Sequence, residues 1–109
     1  MPHDPHLVER IRRITDSGLP ALVEKSMFGG FAWMLDGNFA FGANMHLVIR
    51  VGKPAHEEAL SQPHVRPMDF TGRPMKGWVY VDPPGIQTDE LLLQWLQKGI
   101  AFAASLPSK

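Results

Sequence analysis

The sequence predicts a single α+β domain in which helices pack on an antiparallel meander sheet. Apolar residues recur at helical spacing near both ends of the chain, over 7–14 and 92–103. Between these ends lie short apolar runs typical of strands, and Asp36-Gly37 joins two of them as a favoured hairpin turn. With 109 residues, 44% of them hydrophobic, the chain suits one globular domain with one core. The predicted element order is α-β-β-β-α-β-β-α.

The first helix is predicted from its start signal and its apolar face. Asp4 is a good N-cap residue, and Pro5 suits the first helical position. The apolar positions that follow have helical spacing: Leu7, Val8, Ile11 and Ile14. Ser17-Gly18-Leu19-Pro20 interrupts this pattern, so we expect the helix to end there.

The hairpin turn fixes a register for the strands on either side of it. A two-residue turn at 36–37 pairs Leu35 with Asn38, and the pairs then continue as Met34 with Phe39 and Ala32 with Phe41. Since successive strand residues alternate between faces, two sets follow. One face is predicted to hold Gly30, Ala32, Met34, Phe39 and Phe41, and the other to hold Phe31 and Trp33.

The second half of the chain continues the alternation of strands and helices. A third strand over 46–51 places Leu47, Ile49 and Val51 on one face, and a short helix over 54–60 follows. Two further strands are predicted, around 65–70 and 75–81. Thr88 is predicted to cap a final helix with a continuous apolar stripe, made of Leu92, Trp95, Leu96, Gly99 and Ala103.

Gly29 and Gly30 stand together at the start of a strand, where glycine weakens pairing. Their spacing from Gly37 and Gly42 matches neither the dinucleotide fingerprint nor the P-loop. We therefore interpret the pair as structural, allowing the strand to bend and a helix to approach closely.

These landmarks together resemble the N-terminal domain of the TfoX (Sxy) family of competence regulators. The resemblance rests on Met27-Phe28-Gly29-Gly30, on Asp36-Gly37, on the strands 47–51 and 77–81, and on the closing helix. It covers about residues 9–104 and implies an α+β fold similar to that of secretion chaperones. It also implies a link to the regulation of DNA uptake in bacteria.

The resemblance has limits that shape the expectations drawn from it. The best-known family members have a second, C-terminal domain resembling nucleic-acid-binding helical hairpins, so this chain resembles a stand-alone version. We expect one domain over 1–109, with 1–5 flexible and 106–109 a tail. Arg50 stands where the family usually has lysine. No catalytic residues are established for the family, so the resemblance transfers none.

The residues themselves give no catalytic or metal-binding motif. There is no cysteine, which excludes disulfides, thiol nucleophiles and thiolate metal sites. No serine lies in a nucleophile elbow, and His56 lacks a second histidine four residues on, where Leu60 stands. The five histidines are expected to be solvent-exposed. We therefore predict no catalytic residue, no metal and no cofactor.

The best candidate binding surface combines basic and aromatic residues late in the chain. Its members are Arg50, Arg66, Arg73, Lys76, Trp78 and Tyr80. Strand alternation puts Lys76, Trp78 and Tyr80 on one face, where they can bind a phosphate, a base or an acidic peptide. The alternative is a turn whose charges are solvated and whose long side chains cover apolar surface.

Two classes of function remain open from the sequence. One is a small regulatory interaction domain that binds a protein and forms a homodimer, since the chain has a surplus of large apolar residues, among them Trp33, Met34, Met45 and Met75. The other is a ligand- or nucleic-acid-binding domain that uses the basic and aromatic face. A formal net charge of +0 does not favour nucleic acid. The lack of cysteine and of any membrane-spanning run leads us to expect a cytoplasmic protein with no membrane partner.

Overall fold

A computed structural model of the chain describes residues 4–17, 22–27, 29–69 and 74–107. Within these ranges the chain forms three α-helices and six strands, with 3₁₀ turns at Lys53–Ala55 and Pro83–Ile86. The helices are α1 (Pro5–Asp16), α2 (His56–Leu60) and α3 (Asp89–Ala104). The strands are β1 (Val23–Met27), β2 (Gly30–Leu35), β3 (Asn38–Ala43), β4 (Leu47–Arg50), β5 (Val65–Asp69) and β6 (Pro74–Val81).

All six strands form one antiparallel sheet in the order β1-β2-β3-β4-β6-β5. The α+β class and the predicted order of elements are confirmed, but the sheet is a meander only through β4, because β6 rather than β5 pairs with β4. Strand β1 is an addition, because the sequence analysis left Val23–Met27 without a strand. Four of its five residues are exposed, so this edge strand shows none of the alternation by which a half-buried strand is recognised.

The three helices lie on one face of the sheet and enclose the main core. Asp4 caps α1 by accepting hydrogen bonds from the backbone N–H groups of His6 and Leu7, and Thr88 caps α3 by accepting from Leu91, as predicted. The whole predicted stripe of α3, from Leu92 to Ala103, is buried. It packs on strand residues that include Phe41, Ile49 and Val79, each of them 0% exposed.

The β2–β3 register departs from the simple hairpin prediction partway along. The pairs of Leu35 with Asn38 and of Met34 with Phe39 are as predicted, but the register then shifts, so that Trp33 pairs with Phe41. Ala40 is the extra residue, and such a bulge moves every later residue of its strand to the opposite face. The prediction that Phe41 shares a face with Met34 is therefore wrong. Phe41 stacks on Trp33 in the main core, with ring centroids 5.5 Å apart.

The glycine pair is structural, but the helix approach predicted for it occurs elsewhere. Gly29 lies in the β1–β2 turn with φ 80°. A Cβ on Gly30 would overlap the carbonyl oxygen of Ala43 and lie 2.9 Å from the Asn44 Cα, so the close neighbour is the end of β3. The close helix approach is at Gly99 of α3, where a Cβ would lie 3.0 Å from the carbonyl carbon of Ala40.

The other predicted landmarks of this region also have structural roles. Asp36 and Gly37 both have positive φ, of 52° and 83°, as a tight type I′ hairpin turn requires. Met27 ends β1 and pairs with Gly30. Phe28 lies outside the described residues.

Candidate functional site

The second face of the sheet is covered by none of the helices in the described ranges. A cluster of strand residues packs there: the buried Ala32, Phe39, Val48 and Met68, with the partly buried Met27, Met34, Met75, Trp78 and Tyr80. Val23 belongs to the same face, because it pairs directly with Met34. We call these ten residues the open face.

The open face is apolar at its centre and exposed toward one edge of the sheet. Ala32 and Val48 are 0% exposed, and the Phe39 and Trp78 rings meet over β3, β4 and β6 with centroids 4.5 Å apart. Side chains on the edge strand β1 are more exposed, and Val23 is 57% exposed. Among the described residues this face is therefore a layer of methionine and aromatic side chains that no helix covers, and methionine adapts readily to different partners.

Arg66 lies at the end of the open face near Tyr80 and is fully engaged. Its guanidinium lies over the Tyr80 ring, 5.4 Å from the centroid, and binds the Asp82 carboxylate through Nε and Nη2 at 2.8–3.1 Å. These hydrogen bonds lower the pKa of Asp82. The pair cancels its own charge, so Arg66 is not a free binding group.

Arg50 lies at the opposite end of the open face, and its guanidinium is held without a polar partner among the described residues. Its Cζ is 5.2 Å from the centroid of Trp78 and 5.1 Å from that of Phe102, so the cation lies between two rings. Arg10, Arg12 and Arg66, by contrast, each bind a carboxylate. Arg50 is thus positioned by aromatic contacts alone and keeps its hydrogen-bond donors.

A cleft of about 280 Å³ opens beside Arg50. We call it the Arg50 cleft; it is lined by Arg50, Gly52, Lys53, Pro54, Lys76, Gly77, Trp78 and Phe102. The structure therefore brings together three of the six predicted binding residues: Arg50, Lys76 and Trp78. It separates Arg66 and Tyr80 from them, and Arg73 lies outside the described residues.

Of the five lining residues of the Arg50 cleft that the sequence analysis did not predict, two have a charged or aromatic side chain, Lys53 and Phe102. Lys53 is in the 3₁₀ turn directly after β4, and its nearness to Arg50 in the chain was an available signal. Phe102 comes from the last turns of α3, about fifty residues further on, and no sequence pattern links it to β4. It reaches the cleft because Gly52 leaves room, since a Cβ there would overlap the Phe102 ring.

The backbone of the Arg50 cleft is fixed by hydrogen bonds around Gly77. The Gly77 carbonyl accepts from the N–H groups of Val51 (2.8 Å) and Gly52 (3.0 Å), and its own N–H donates to His56 Nδ1 at 2.9 Å. His56 is only 7% exposed, so the expectation of five exposed histidines is wrong for this one. It is a structural acceptor beneath the cleft.

The remaining histidines within the described ranges form no metal site. His6 and His64 are exposed as expected, while His46 is partly buried against Tyr80, with ring centroids 5.0 Å apart. Across these ranges no group of three or more histidine and acidic side chains is placed to hold a metal ion. No helix there is long and apolar enough to cross a membrane.

Two larger grooves, each of about 430 Å³, run along α3 on the helical side of the domain. They share Gln62, Trp95 and Lys98, and the Lys98 ammonium lies 5.7 Å from the centroid of the Trp95 ring. Apart from His64, their described lining residues include one basic and one acidic side chain, Lys98 and Glu58. They lack the concentration of like charge that distinguishes the Arg50 cleft.

The family model described as the TfoX N-terminal domain matches residues 16–103, which is most of the chain. No curated protein and no solved structure matches it.

Proposed function

The chain belongs to the TfoX N-terminal domain family, and we propose that it is a non-catalytic, regulatory interaction domain that acts as a homodimer joined through the open face. The observation that carries this proposal is the apolar layer on the side of the sheet away from the described helices. A layer of this kind on a small domain marks an interaction surface.

A second copy of the chain is favoured by the distribution of charge on this surface. In a two-fold dimer each patch meets its own copy, so an unpaired charge at the centre would face a like charge. Arg66 is neutralised by Asp82, and Arg50 is drawn to the end of the sheet between Trp78 and Phe102. Lys25 pairs with Ala32 and so also lies on this side of the sheet, but it is exposed on the edge strand β1. The centre, around Phe39 and Val48, carries no charged side chain and suits a copy of itself.

The dimensions of the sheet indicate a weak dimer. Six strands spaced about 4.8 Å apart span about 24 Å, and the strands, which have 4 to 8 residues, are on average about 17 Å long. The footprint is therefore about 400 Å² on each copy. The uneven surface of the side chains adds to this flat area. The total accessible surface buried on the two copies nevertheless stays below about 1,200 Å², which separates weak from standard interfaces. We expect a dissociation constant for the dimer in the micromolar range.

The proposal is tested by light scattering after size exclusion, over a series of protein concentrations. We expect the wild type to move from monomer toward dimer as concentration rises. Val23→Lys and Met34→Lys place charge on the open face and should keep the protein monomeric throughout. Leu91→Lys is the matched control, since Leu91 is 38% exposed on α3, away from the open face. A wild type that stays monomeric, or a dimer weakened equally by all three changes, would refute the proposal.

Nucleic-acid binding is less well supported by the same residues. Single-stranded nucleic acid needs free aromatic faces on which bases stack. Trp78 is contacted by Arg50 and Phe39, and Tyr80 by Arg66 and His46.

The cytoplasm remains the proposed location because the chain has no cysteine.

A further inference from the structure

We propose that the Arg50 cleft binds the phosphate group of a small phosphorylated molecule. This site adjoins the dimer contact and shares Trp78 with it, but its basic side chains lie outside the ten residues of the open face. The cleft lies at the end of the sheet, where β4, β6 and the C-terminal part of α3 meet.

The first argument is the concentration of unpaired positive charge. Arg50, Lys53 and Lys76 all line the cleft, and its described lining includes no acidic side chain. None of the three side chains forms a hydrogen bond or an ion pair with another described residue. The three positive charges repel one another across this small volume. A bound anion attracts all three and so offsets their mutual repulsion.

The second argument is that the Arg50 guanidinium is already positioned to bind a ligand through two hydrogen bonds. The rings of Trp78 and Phe102 hold the guanidinium in place, so little side-chain entropy remains to be lost on binding. The guanidinium makes no hydrogen bond or ion pair with another described residue, so its N–H groups remain for an acceptor. The oxygens of a phosphate match this planar fork, and arginine is enriched where phosphates are bound in this way.

The third argument is the rigidity of the cleft floor. Gly52 and Gly77 have φ of 87° and 93°, a region that side-chain-bearing residues rarely occupy. A Cβ on Gly77 would also lie 3.0 Å from the Gly52 carbonyl carbon. With the hydrogen bond from Gly77 to His56, these contacts hold the two basic segments, 50–53 and 76–78, at a fixed separation.

Charge and size together define the ligand. Three positive charges suit the dianion of a phosphate monoester better than a single carboxylate. The volume of about 280 Å³ lies just below the range of about 300–1,000 Å³ typical of small-molecule pockets. The occupant is therefore a phosphate with a small group attached, and Arg50 already occupies the ring faces on which a nucleotide base would stack.

The test is a titration followed by ¹⁵N-¹H NMR at constant ionic strength. The probes are inorganic phosphate, glycerol phosphate and acetate. We expect saturable shifts for the two phosphates at the amides of Gly52, Lys53 and Gly77 and at the Trp78 indole N–H. Tighter binding of glycerol phosphate than of inorganic phosphate would support a phosphorylated molecule as the ligand. Acetate binding as tightly as phosphate would overturn the assignment to phosphate, as would equal affinity for both phosphates.

Charge-removing variants show whether the cleft itself is responsible. Arg50→Gln and Lys76→Gln should each weaken glycerol phosphate binding about tenfold or more, because hydrogen bonds to charged groups are among the strong ones. Lys98→Gln, which removes one exposed charge from α3, should change the affinity less than about twofold. The dispersion of each variant's spectrum reports whether it is folded. Absence of saturable shifts in the wild type, or equal weakening by Lys98→Gln, would refute the site.

The same titration separates this proposal from the homodimer. Val23→Lys and Met34→Lys should bind glycerol phosphate as the wild type does even when they are monomeric. Loss of binding in these two variants would contradict a cleft that binds phosphate in the monomer.

Discussion

Replacing Gly30 with alanine tests why two glycines begin strand β2. Gly30 has no positive φ, so alanine is compatible with its backbone, and the loss of freedom in the unfolded chain would by itself stabilise the protein by about 0.4–1 kcal/mol. Against this, the new Cβ would lie 2.9 Å from both the Ala43 carbonyl carbon and the Asn44 Cα, and would overlap the Ala43 oxygen. All three are backbone atoms, so relief requires β2 and β3 to move apart.

Forcing an extra methyl group into a packed site costs about 1–3 kcal/mol, and a backbone obstacle favours the upper part of that range. The net effect of Gly30→Ala is thus a loss of about 1–2 kcal/mol in the free energy of unfolding. Urea denaturation measures it: with a slope of about 1–2 kcal/mol per M, the midpoint should fall by about 1 M.

Gly85→Ala is the matched control for this change. Its new Cβ would meet the Val81 Cγ1 at 2.9 Å, and a side-chain atom can move aside where a backbone atom cannot. We expect a smaller shift of the midpoint than for Gly30→Ala. An unchanged or raised midpoint for Gly30→Ala would refute the close-approach explanation of the glycine.

Two further predictions concern side chains that the sequence analysis placed on the surface without partners. Arg66→Gln should cost at most about 1 kcal/mol at pH 7, since Arg66–Asp82 is an exposed pair. Because the pKa of Asp82 is lowered in the folded state, this stabilisation is present above its unfolded value of 3.8 and is lost as pH falls through the lower folded value. The gap between wild type and variant in urea denaturation should therefore narrow as the pH falls below 4, and a gap that does not narrow would contradict the ion pair. His56→Ala leaves the Gly77 N–H buried without an acceptor and should cost about 2–4 kcal/mol. His6→Ala, an exposed change on α1, should stay within about 0.5 kcal/mol, and similar values for the two would show that His56 is not structural.

The parts of the fold set by local chemistry were predictable from the sequence. The caps at Asp4 and Thr88 and the turn at Asp36-Gly37 depend on residues within a few positions of one another, and all three are confirmed. The apolar stripe of α3 is confirmed for the same reason, since its periodicity is contained in the helix itself.

The parts that depend on distant neighbours were not predictable in this way. Strand β1 forms because β2 offers it hydrogen-bonding partners, although its own sequence is polar and exposed. The bulge at Ala40 accompanies the close approach of Gly99 from α3, and it moved Phe41 into the main core. For the candidate site, the pairing of Arg50 with Trp78 follows from strand register, whereas Phe102 joins them only through tertiary packing.

The central claim, that two copies meet through the open face, is tested most directly by NMR on a mixture of isotope-labelled and unlabelled protein. Filtered experiments on such a mixture detect only contacts between copies. We predict cross-peaks from the methyl groups of Met34 and Val23 to protons of the open face of the other copy, among them those of Trp78 and Tyr80. Contacts confined to α1 or α3, or no contacts between copies at millimolar concentration, would contradict the account.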